Sequence, residues 1–416
     1  MKRLLFILVG LMATTLVSQN TVTLQECYEL TSVNYPLAKQ ITLLKAQNHL
    51  EQEVVSTARL PQLSFDAQAT YQSDVIEVPI PNASLDPINK DQYRATVSVN
   101  QLIYNGGATN AILEVKSSQL ETKQKQVEVQ LYQLKQKINQ LYFSILLAQE
   151  TELLLDAKQT LLNSKLNEVT SGISNGVLLP ASDKVLRVEL LKISQQQKGL
   201  QSNKATLVNS LSRIIGQPLD AASTFLNTLI DTEFTSQLNR PELDLFQLKK
   251  AEIESNEDLI AIQNSPKLLG FATGGYGNPG LNMLDNSFQA FYIVGVKLNW
   301  NVFDWNSNKK EREAIAIHKD ILDTETEIFN LDTATKLNQQ YNEIAKFEEF
   351  ITSDLEIINL RKEVLKSADA QLKNGVITSS AYFTELTHLY EDEHNLIKHK
   401  IHLQLAKANY NVIKGH

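Results

Sequence analysis

The sequence predicts a mainly α-helical fold with a small β part, in which long antiparallel coiled-coil helices accompany four strands of membrane-crossing length. Three observations lead to this prediction. A pattern of strand, strand, very long helix, glycine turn and helix occurs twice; the stretch from about 108 to 171 contains neither proline nor glycine; and segments of about ten residues alternate between apolar and polar side chains.

Two landmarks reveal the duplication. Residues 97–105 align with 296–304, and residues 175–177 align with 374–376, both at an offset of about 199 residues and without a gap. Agreement of two separate landmarks on one offset indicates an internal repeat. A repeat of this kind suggests a tube rather than an active site.

The chain is expected to divide into four segments. Residues 1–19 have the form of a secretory signal peptide, with Lys2 and Arg3 before a short apolar run. The first structural repeat is expected at 20–216, an inter-repeat segment packed across the middle of the helices at 217–241, and the second repeat at 242–416. The less favoured interpretation of the N-terminus is a membrane anchor, for which the apolar run is too short.

Charge and cysteine content exclude several classes of function. The formal net charge of −8 becomes −10 without Lys2 and Arg3, and the sequence has no basic cluster, so no nucleic acid is expected as a partner. The single cysteine, Cys27, cannot form an intramolecular disulfide and is expected to be a packing residue. No mature segment is apolar enough for a transmembrane helix, so any membrane contact must be made by strands.

The helices carry a coiled-coil pattern. Apolar residues step by four and three at 134, 138, 141, 145 and 148, and recur every seven residues at 344, 351, 358, 365 and 372. A helix of about 64 residues would be on the order of 95 Å long. Four further helical stretches are expected at about 23–58, 183–215, 242–264 and 380–413.

Four strands are expected, and three of them alternate clearly. The segments begin after Pro61, near Gln92, after Pro266 and near Tyr292, and the one after Pro266 alternates least. The strands of a soluble β-sandwich with one solvent-exposed face would alternate in the same way. The pattern alone therefore leaves open whether the strands cross a membrane or belong to a soluble sandwich. Four strands cannot close a barrel, and the open edges of a sheet in lipid leave backbone groups unpaired, which costs free energy. Membrane-crossing strands would therefore require several chains to share one barrel.

Three motif matches lack the context that their chemistry needs. Residues 172–176 fit G-x-S-x-G around Ser174, but a long helix precedes them instead of the strand of a nucleophile elbow. Residues 275–280 fit G-x-G-x-x-G, but lead into another strand instead of a helix. The pairs Glu385/His388 and Glu391/His394 lie on different helix faces. No catalytic residue, cofactor or metal site is predicted.

Four short motifs occur along the chain. They are residues 58–64 at the first helix–strand junction, residues 101–107 entering the long helix, Gly176 followed by Asp183, and Gly375 followed by Leu386. In the order and spacing of these motifs, and over essentially the whole mature chain, the sequence resembles the TolC family of outer-membrane efflux and secretion channels.

The resemblance implies a homotrimer in the outer membrane, with a twelve-stranded transmembrane β-barrel and a periplasmic α-helical barrel. It also implies docking to a periplasmic adaptor (membrane fusion) protein and to an inner-membrane pump of the RND or ABC type. The adaptor-docking turns would be formed by Gly172, Gly176, Val177, Leu178, Gly375, Val376 and Ile377. Loops 74–91 and 277–287 would face the outside.

The periplasmic aperture departs from the pattern of some relatives. Some relatives carry acidic side chains at the aperture, and the corresponding positions of this sequence are Ala381 and Thr384, with Glu385 adjacent to Thr384. Some relatives also carry a basic residue that locks the closed state, and the corresponding residue of this sequence is Ile377. Asp183 corresponds to an aperture acid only with a shift of one residue. It also fits a helix N-cap or first-turn acid, which stays an equally good interpretation.

The function expected from these features is a passive exit duct, serving efflux of small molecules or type I secretion. The alternative is a secreted periplasmic coiled-coil scaffold or adaptor, which explains the long helices but not the alternating strands. An enzyme acting through Ser174 is a remote third.

Overall fold

The computed structural model describes residues 21–76, 88–234 and 237–416. The predicted signal peptide at 1–19 and most of the predicted outer loop at 74–91 lie outside these residues. Within them the chain forms seven α-helices and six strands, two of the strands only two residues long. The mainly α fold with a small antiparallel sheet is confirmed.

The first repeat begins with a short strand and two helices. These are β1 (Thr21–Val22), α1 (Leu24–Asn34) and α2 (Lys39–Ser56), with a 3₁₀ turn at Pro36–Ala38 between the helices. The sequence predicted one helix over 23–58, and that continuity is wrong. Pro36 has no N–H and disfavours the helical conformation of the residue before it, and Tyr35 accordingly has an extended backbone with ψ of 136°.

Apart from a two-residue strand at Thr224–Phe225, which was not predicted, the remaining elements follow the predicted order. They are β2 (Gln62–Tyr71), β3 (Asp91–Tyr104), α3 (Ala108–Ser174), α4 (Ser182–Ile215), β4 (Thr224–Phe225), α5 (Pro241–Ala261), β5 (Lys267–Asn278), β6 (Gln289–Asn299), α6 (Ser307–Lys373) and α7 (Ser379–Lys414). The two long helices, α3 and α6, each contain 67 residues. No helix among the described residues is both long enough and apolar enough to cross a membrane.

The chain divides into two compact units. The first contains the described residues of Met1–Ala38, Leu131–Arg240 and Thr333–His416, and the second contains those of Lys39–Gln130 and Pro241–Asp332. Helices α3 and α6 contribute residues to both.

The core of the first unit is built around the inter-repeat segment. Strand β4 pairs in parallel with β1, which aligns Phe225 with Val22. The buried Phe225 ring lies edge-on to Tyr142, with centroids 5.4 Å apart. The Gln149 side chain accepts from the Phe225 N–H at 3.0 Å and donates to its carbonyl at 3.1 Å, so it satisfies both backbone groups of that residue.

The predicted seam of α3 and α6 is buried as expected. Ile138 and Ile145 are almost completely inaccessible, as are Ile358 and Leu372 on α6. Cys27 lies in the same core as Ile138 and Ile145, and burial, together with the charge of Glu26, raises the pKa of its thiol to about 12. The prediction of a packing cysteine is confirmed.

The second unit contains the four-stranded sheet, ordered β2-β3-β5-β6 with every neighbouring pair antiparallel. Its helices are joined by polar contacts. Asn48 donates to the Lys116 carbonyl at 2.6 Å, and Lys116 forms an ion pair with Glu51 at 2.9 Å. Lys319 forms another with Glu257 at 3.0 Å.

Candidate functional site

The register of the sheet sorts its side chains onto two faces. Directly paired residues in an antiparallel ladder point to the same side, and Phe65, Val97 and Gly274 are aligned across three strands. We call this side the apolar face. Its apolar and small residues are Leu63, Phe65, Ala67, Ala69, Tyr71, Tyr93, Ala95, Val97, Val99, Leu268, Gly270, Ala272, Gly274, Tyr276, Ala290, Tyr292, Val294, Val296 and Leu298, and the register also places three polar residues on it near the strand ends, Asp91, Gln101 and Asn278.

No part of the chain that the structure describes covers the apolar face. Phe65 is 70% exposed, Tyr292 79% and Val294 71%. Four tyrosines run diagonally across it at the end of the sheet remote from the helices: Tyr71, Tyr93, Tyr276 and Tyr292. An apolar face that is uncovered marks a surface that contacts a protein or a lipid.

The opposite side, which we call the mixed face, carries the polar residues of the strands. It comprises Gln62, Ser64, Asp66, Gln68, Thr70, Gln92, Arg94, Thr96, Ser98, Asn100, Leu102, Lys267, Leu269, Phe271, Thr273, Gly275, Gly277, Gln289, Phe291, Ile293, Gly295, Lys297 and Asn299. Four of the five charged strand residues lie on it, and the fifth, Asp91, is the first residue of β3. Ser98 and Thr273 share a hydrogen bond at 3.0 Å across two strands.

Both edges of the sheet are open. Among the described residues, β2 and β6 each pair on one side only. They are of similar length, 10 and 11 residues, and run in opposite directions because the four strands alternate. The β6 edge of one copy therefore has the direction needed to pair antiparallel with the β2 edge of another.

The turn after α3 is a Schellman motif. Gly176 has a φ of +74°, the Val177 N–H donates to the Gly172 carbonyl at 2.9 Å, and the Gly176 N–H donates to the Ile173 carbonyl at 3.0 Å. The Leu178 side chain packs on Gly172, where an added Cβ would lie only 2.8 Å from it.

The turn after α6 repeats the same bonds. Gly375 has a φ of +70°, the Val376 N–H donates to the Gln371 carbonyl at 2.9 Å, and the Gly375 N–H donates to the Leu372 carbonyl at 3.0 Å. Thr378 then caps α7 by accepting from the Ala381 N–H. The position of Gly375 favours glycine because residues with side chains rarely adopt a positive φ.

The two turns lie side by side in the first unit. A Cβ added to Gly375 would lie 4.0 Å from the Val177 carbonyl oxygen. Val177 and Val376 are 59% and 71% exposed, whereas Leu178 and Ile377 are half-buried against a shared core. The seven predicted docking residues therefore come together at one end of the helical hairpins, with the two valines as exposed apolar tips.

The predicted aperture residues occupy three different settings. Asp183 is the second residue of α4, as the first-turn interpretation predicted, and accepts from Arg187 Nε at 3.2 Å. Desolvation opposes its ionisation, but hydrogen bonds from Lys184 and Arg187 outweigh it and hold the pKa of this carboxyl below its usual range. Thr384 is exposed and donates to the Ser380 carbonyl at 3.1 Å.

Glu385 is engaged by a basic residue of α6. Arg361 donates to it at 3.3 Å and also to Asp392 at 3.0 Å, and His388 Nδ1 lies 3.7 Å from the Glu385 carboxylate. Among the described residues, no hydrogen bond or ion pair joins Asp183 to Thr384 or Glu385. The structure thus places these residues at the same end of the first unit without assembling them into one cluster.

A charged cluster that was not predicted from the sequence lies close to the turns. The Lys165 side chain on α3 is only 8% exposed, forms an ion pair with Asp369 on α6, and lies 2.6 Å from Glu168. Asp369 also pairs with Lys373 at 2.9 Å. Burial opposes the charge on Lys165, but its hydrogen bonds to Asp369 and Glu168 outweigh burial and raise its pKa.

A signal for this cluster is present in the sequence. Lys158 and Lys165 are seven residues apart within the apolar seam of α3, where charges are unusual. In the structure their ammonium groups lie over the rings of Tyr390 and Tyr382, at 4.1 and 5.3 Å from the ring centroids.

The G-x-S-x-G and G-x-G-x-x-G matches lie in the structural contexts predicted from the sequence. Ser174 is the last residue of α3 and its hydroxyl donates to the Thr170 carbonyl at 3.0 Å. No strand precedes it, so the geometry of a nucleophile elbow is lacking. Gly275 and Gly277 lie within β5, and the chain continues into β6 instead of opening a helix.

Comparisons with known proteins identify the fold. No protein-family model matches the chain, and no curated protein matches its sequence. The fold is similar to that of the outer membrane protein VceC from Vibrio cholerae, with 14% sequence identity, a TM-score of 0.65 and coverage of 94% of both chains. It is also similar to the CmeC outer membrane channel of Campylobacter jejuni, with 12% identity, a TM-score of 0.65 and coverage of 94% of this chain and 85% of the other.

A third similar structure is CusC, whose description concerns conformational changes during folding and transmembrane channel formation. It has 12% sequence identity, a TM-score of 0.70 and coverage of 94% of this chain and 92% of the other. The resemblance to TolC-type channels inferred from the sequence is therefore confirmed at the level of the fold.

Proposed function

We propose that this chain is one protomer of a homotrimeric outer-membrane channel that serves as a passive exit duct. The observation that carries the proposal is the sheet with an uncovered apolar face and two open edges. Three copies joined edge to edge through β6 and β2 give twelve strands that alternate in direction all the way round, which leaves no unpaired edge in lipid.

In this arrangement the apolar face contacts lipid and the mixed face lines the lumen. Strands of ten to fourteen residues are long enough to cross the hydrocarbon core when tilted. The diagonal row of tyrosines corresponds to the interfacial aromatic girdle of such barrels. The similar structures named as outer-membrane channels support the same assignment.

The helices form the periplasmic part of the duct, and the paired glycine turns form its docking end. The exposed Val177 and Val376 offer apolar tips to a periplasmic adaptor, which links the channel to an inner-membrane pump of the RND or ABC type. Asp183, Thr384 and Glu385 lie close enough to these turns to contribute to the aperture. Transport draws its energy from the pump, and the chain itself performs no reaction.

The scaffold alternative is not favoured. A secreted coiled-coil adaptor needs the long helices and the turns, but it gives no role to a large uncovered apolar face backed by a polar one. Efflux of small molecules and type I secretion both fit the duct.

The decisive experiment combines fractionation with a mass measurement. Membranes from expressing cells are washed with high salt and then extracted with detergent, and the mass of the extracted protein is determined after subtraction of bound detergent. We expect release only by detergent and a mass of three chains. A salt-released or monomeric protein would contradict the proposal, because four strands would have nothing to close against.

A further inference from the structure

The charges on the mixed face are unevenly distributed along the strands. Two lysines, Lys267 and Lys297, lie at the end of the sheet next to the helices, because β5 starts at Lys267 after α5 and β6 ends shortly before α6. The register pairs Lys267 with Asn299 and Lys297 with Leu269. The lysines are therefore diagonal neighbours on one face, a separation of about 7–8 Å between Cα atoms.

No acidic side chain in the described part of the chain pairs with either lysine. Both are exposed, and neither forms an ion pair with any described residue. The mixed-face positions around them are neutral: Gln62, Ser64, Asn100, Leu102, Leu269 and Asn299. The nearby acid Asp304 lies between β6 and α6, where its carboxylate accepts from Asn264 at 2.6 Å and from the Asn308 N–H at 3.0 Å.

The other end of the mixed face is balanced. Arg94 and Asp66 lie on adjacent strands two rungs apart, since Arg94 pairs with Gln68 and Asp66 pairs with Thr96. Their opposite charges offset each other there. The surplus positive charge of the face is therefore confined to the helix-proximal end, although the chain as a whole is acidic, with a formal net charge of −8.

We propose that Lys267 and Lys297 form a positively charged ring in the lumen that favours anionic solutes, such as carboxylates and phosphates, over cations. The inference rests on the proposed function, because only a closed trimer turns the mixed face into a lumen. Threefold repetition then places six ammonium groups around the helix-proximal end of the passage. Fixed charge of one sign lining a narrow aqueous path concentrates the counter-ion within about one Debye length, ~8 Å at physiological salt.

The first test measures ion selectivity. Purified trimers are placed in a planar bilayer under a tenfold KCl gradient, and the reversal potential gives the permeability ratio of chloride to potassium. We expect chloride to be preferred, and the double variant Lys267→Gln/Lys297→Gln to lower the ratio by about two-fold or more. Replacing both lysines by arginine should preserve it. Asp91→Asn, on the apolar face, should leave it unchanged.

The outcomes separate the two proposals. Trimers that never conduct would count against the proposed duct. Trimers that conduct but prefer potassium, or whose ratio is the same after Lys267→Gln/Lys297→Gln, would overturn the anion preference while leaving the duct intact.

A second test reads the local potential without requiring the helical end to open. Asn299→Cys places a thiol opposite Lys267 on the mixed face, while the native Cys27 is buried. Its rates of modification by an anionic and a cationic methanethiosulfonate are compared in intact outer membranes. We expect the ratio of anionic to cationic rate to fall about three-fold or more when both lysines become glutamine. An unchanged ratio would refute the charged ring.

Discussion

Lys165 on α3 forms an ion pair with Asp369 on α6, and so joins the long helices of the two repeats close to their turns. Lys165 is almost completely buried, and the ring of Tyr382 on α7 lies below its ammonium group. Three helices from both repeats thus converge on one positive charge. A buried charge is tolerated only while its partners stay in place, which makes this pair sensitive to any rearrangement of the helix ends.

Removing Lys165, the buried partner of Asp369, is expected to destabilise the folded protein. Lys165→Ala leaves the Asp369 carboxylate with one exposed partner and should lower the free energy of unfolding by about 2 kcal/mol. Thermal unfolding of the detergent-solubilised protein measures the change. The matched control is Lys373→Ala, which removes the exposed partner of the same carboxylate and should cost no more than about 0.5 kcal/mol. Equal effects of the two substitutions would contradict the role assigned to burial.

The same pair predicts a pH dependence. Desolvation opposes ionisation of Asp369, but hydrogen bonds from Lys165 and Lys373 outweigh it and lower the pKa of this carboxyl. A depressed pKa means that the folded state binds the proton less well than the unfolded state. The stabilisation is therefore present above the unfolded pKa of about 4 and is lost as the pH falls through the folded pKa.

A comparison of the wild-type protein with Asp369→Asn tests this pH dependence of stability. The difference between their unfolding temperatures should be constant from pH 6 to 8 and should shrink below about pH 4. The pKa of Lys165 is raised by hydrogen bonds to Asp369 and Glu168, so on the alkaline side the stabilisation should be lost only as the pH rises through the folded pKa of Lys165. A difference that does not change on acidification would contradict the assignment.

The glycine turns predict opposite effects for two similar substitutions. Gly375→Ala forces a side chain into a φ of +70° and should destabilise the protein by about 1 kcal/mol. Gly199→Ala lies within α4, where nothing is within 4 Å of the added Cβ, and should stabilise by about 0.5–1 kcal/mol. Unfolding temperatures of the two variants should move in opposite directions, and a shift in the same direction would contradict the Schellman assignment.

Adjacent residues of β3 should differ sharply in their tolerance of charge. Val97→Lys places an ammonium group on the apolar face, which the proposed function exposes to lipid, at a cost of about 2–4 kcal/mol per chain near the bilayer centre. Thr96→Lys places it on the mixed face, opposite Asp66. We expect the amount of trimer extracted from outer membranes to fall for Val97→Lys and to stay close to wild type for Thr96→Lys. The reverse order would mean that the lipid-facing side has been misassigned.

The inter-repeat segment should contribute strongly to the stability of the first unit. Phe225→Ala removes a buried ring from the contact with Tyr142 and should cost about 3–4 kcal/mol. Leu229→Ala, four residues later, changes a side chain that is 81% exposed and should alter the free energy of unfolding by less than about 0.5 kcal/mol. Denaturant unfolding of both variants decides whether the segment is anchored through Phe225.

The weakest strand prediction has a physical explanation. Strand β5 alternates poorly in sequence because its mixed-face positions include Leu269 and Phe271, while its apolar face includes Gly270 and Gly274. Only the register with β3, which aligns Ala272 with Val99, separates the two sides. Face assignment in such a strand depends on its neighbours and is not encoded in its own pattern.

The sequence alone determined the features that depend on local periodicity. The order of the elements, the long helices, the two glycine turns and the alternation of three strands follow from spacing, because a helix repeats every 3.6 residues and a strand every two. The positions of Gly176 and Gly375 followed from the duplication. These features need no knowledge of which residues meet in space.

The tertiary structure decided the relationships between residues distant in the chain. The pairing of Lys165 with Asp369, the use of Gln149 to satisfy Phe225, and the meeting of Lys267 and Lys297 on one face depend on register and helix contacts, which no local pattern specifies. Burial and electrostatic interaction are properties of neighbouring groups in three dimensions. They therefore appear only when segments distant in the chain are packed together.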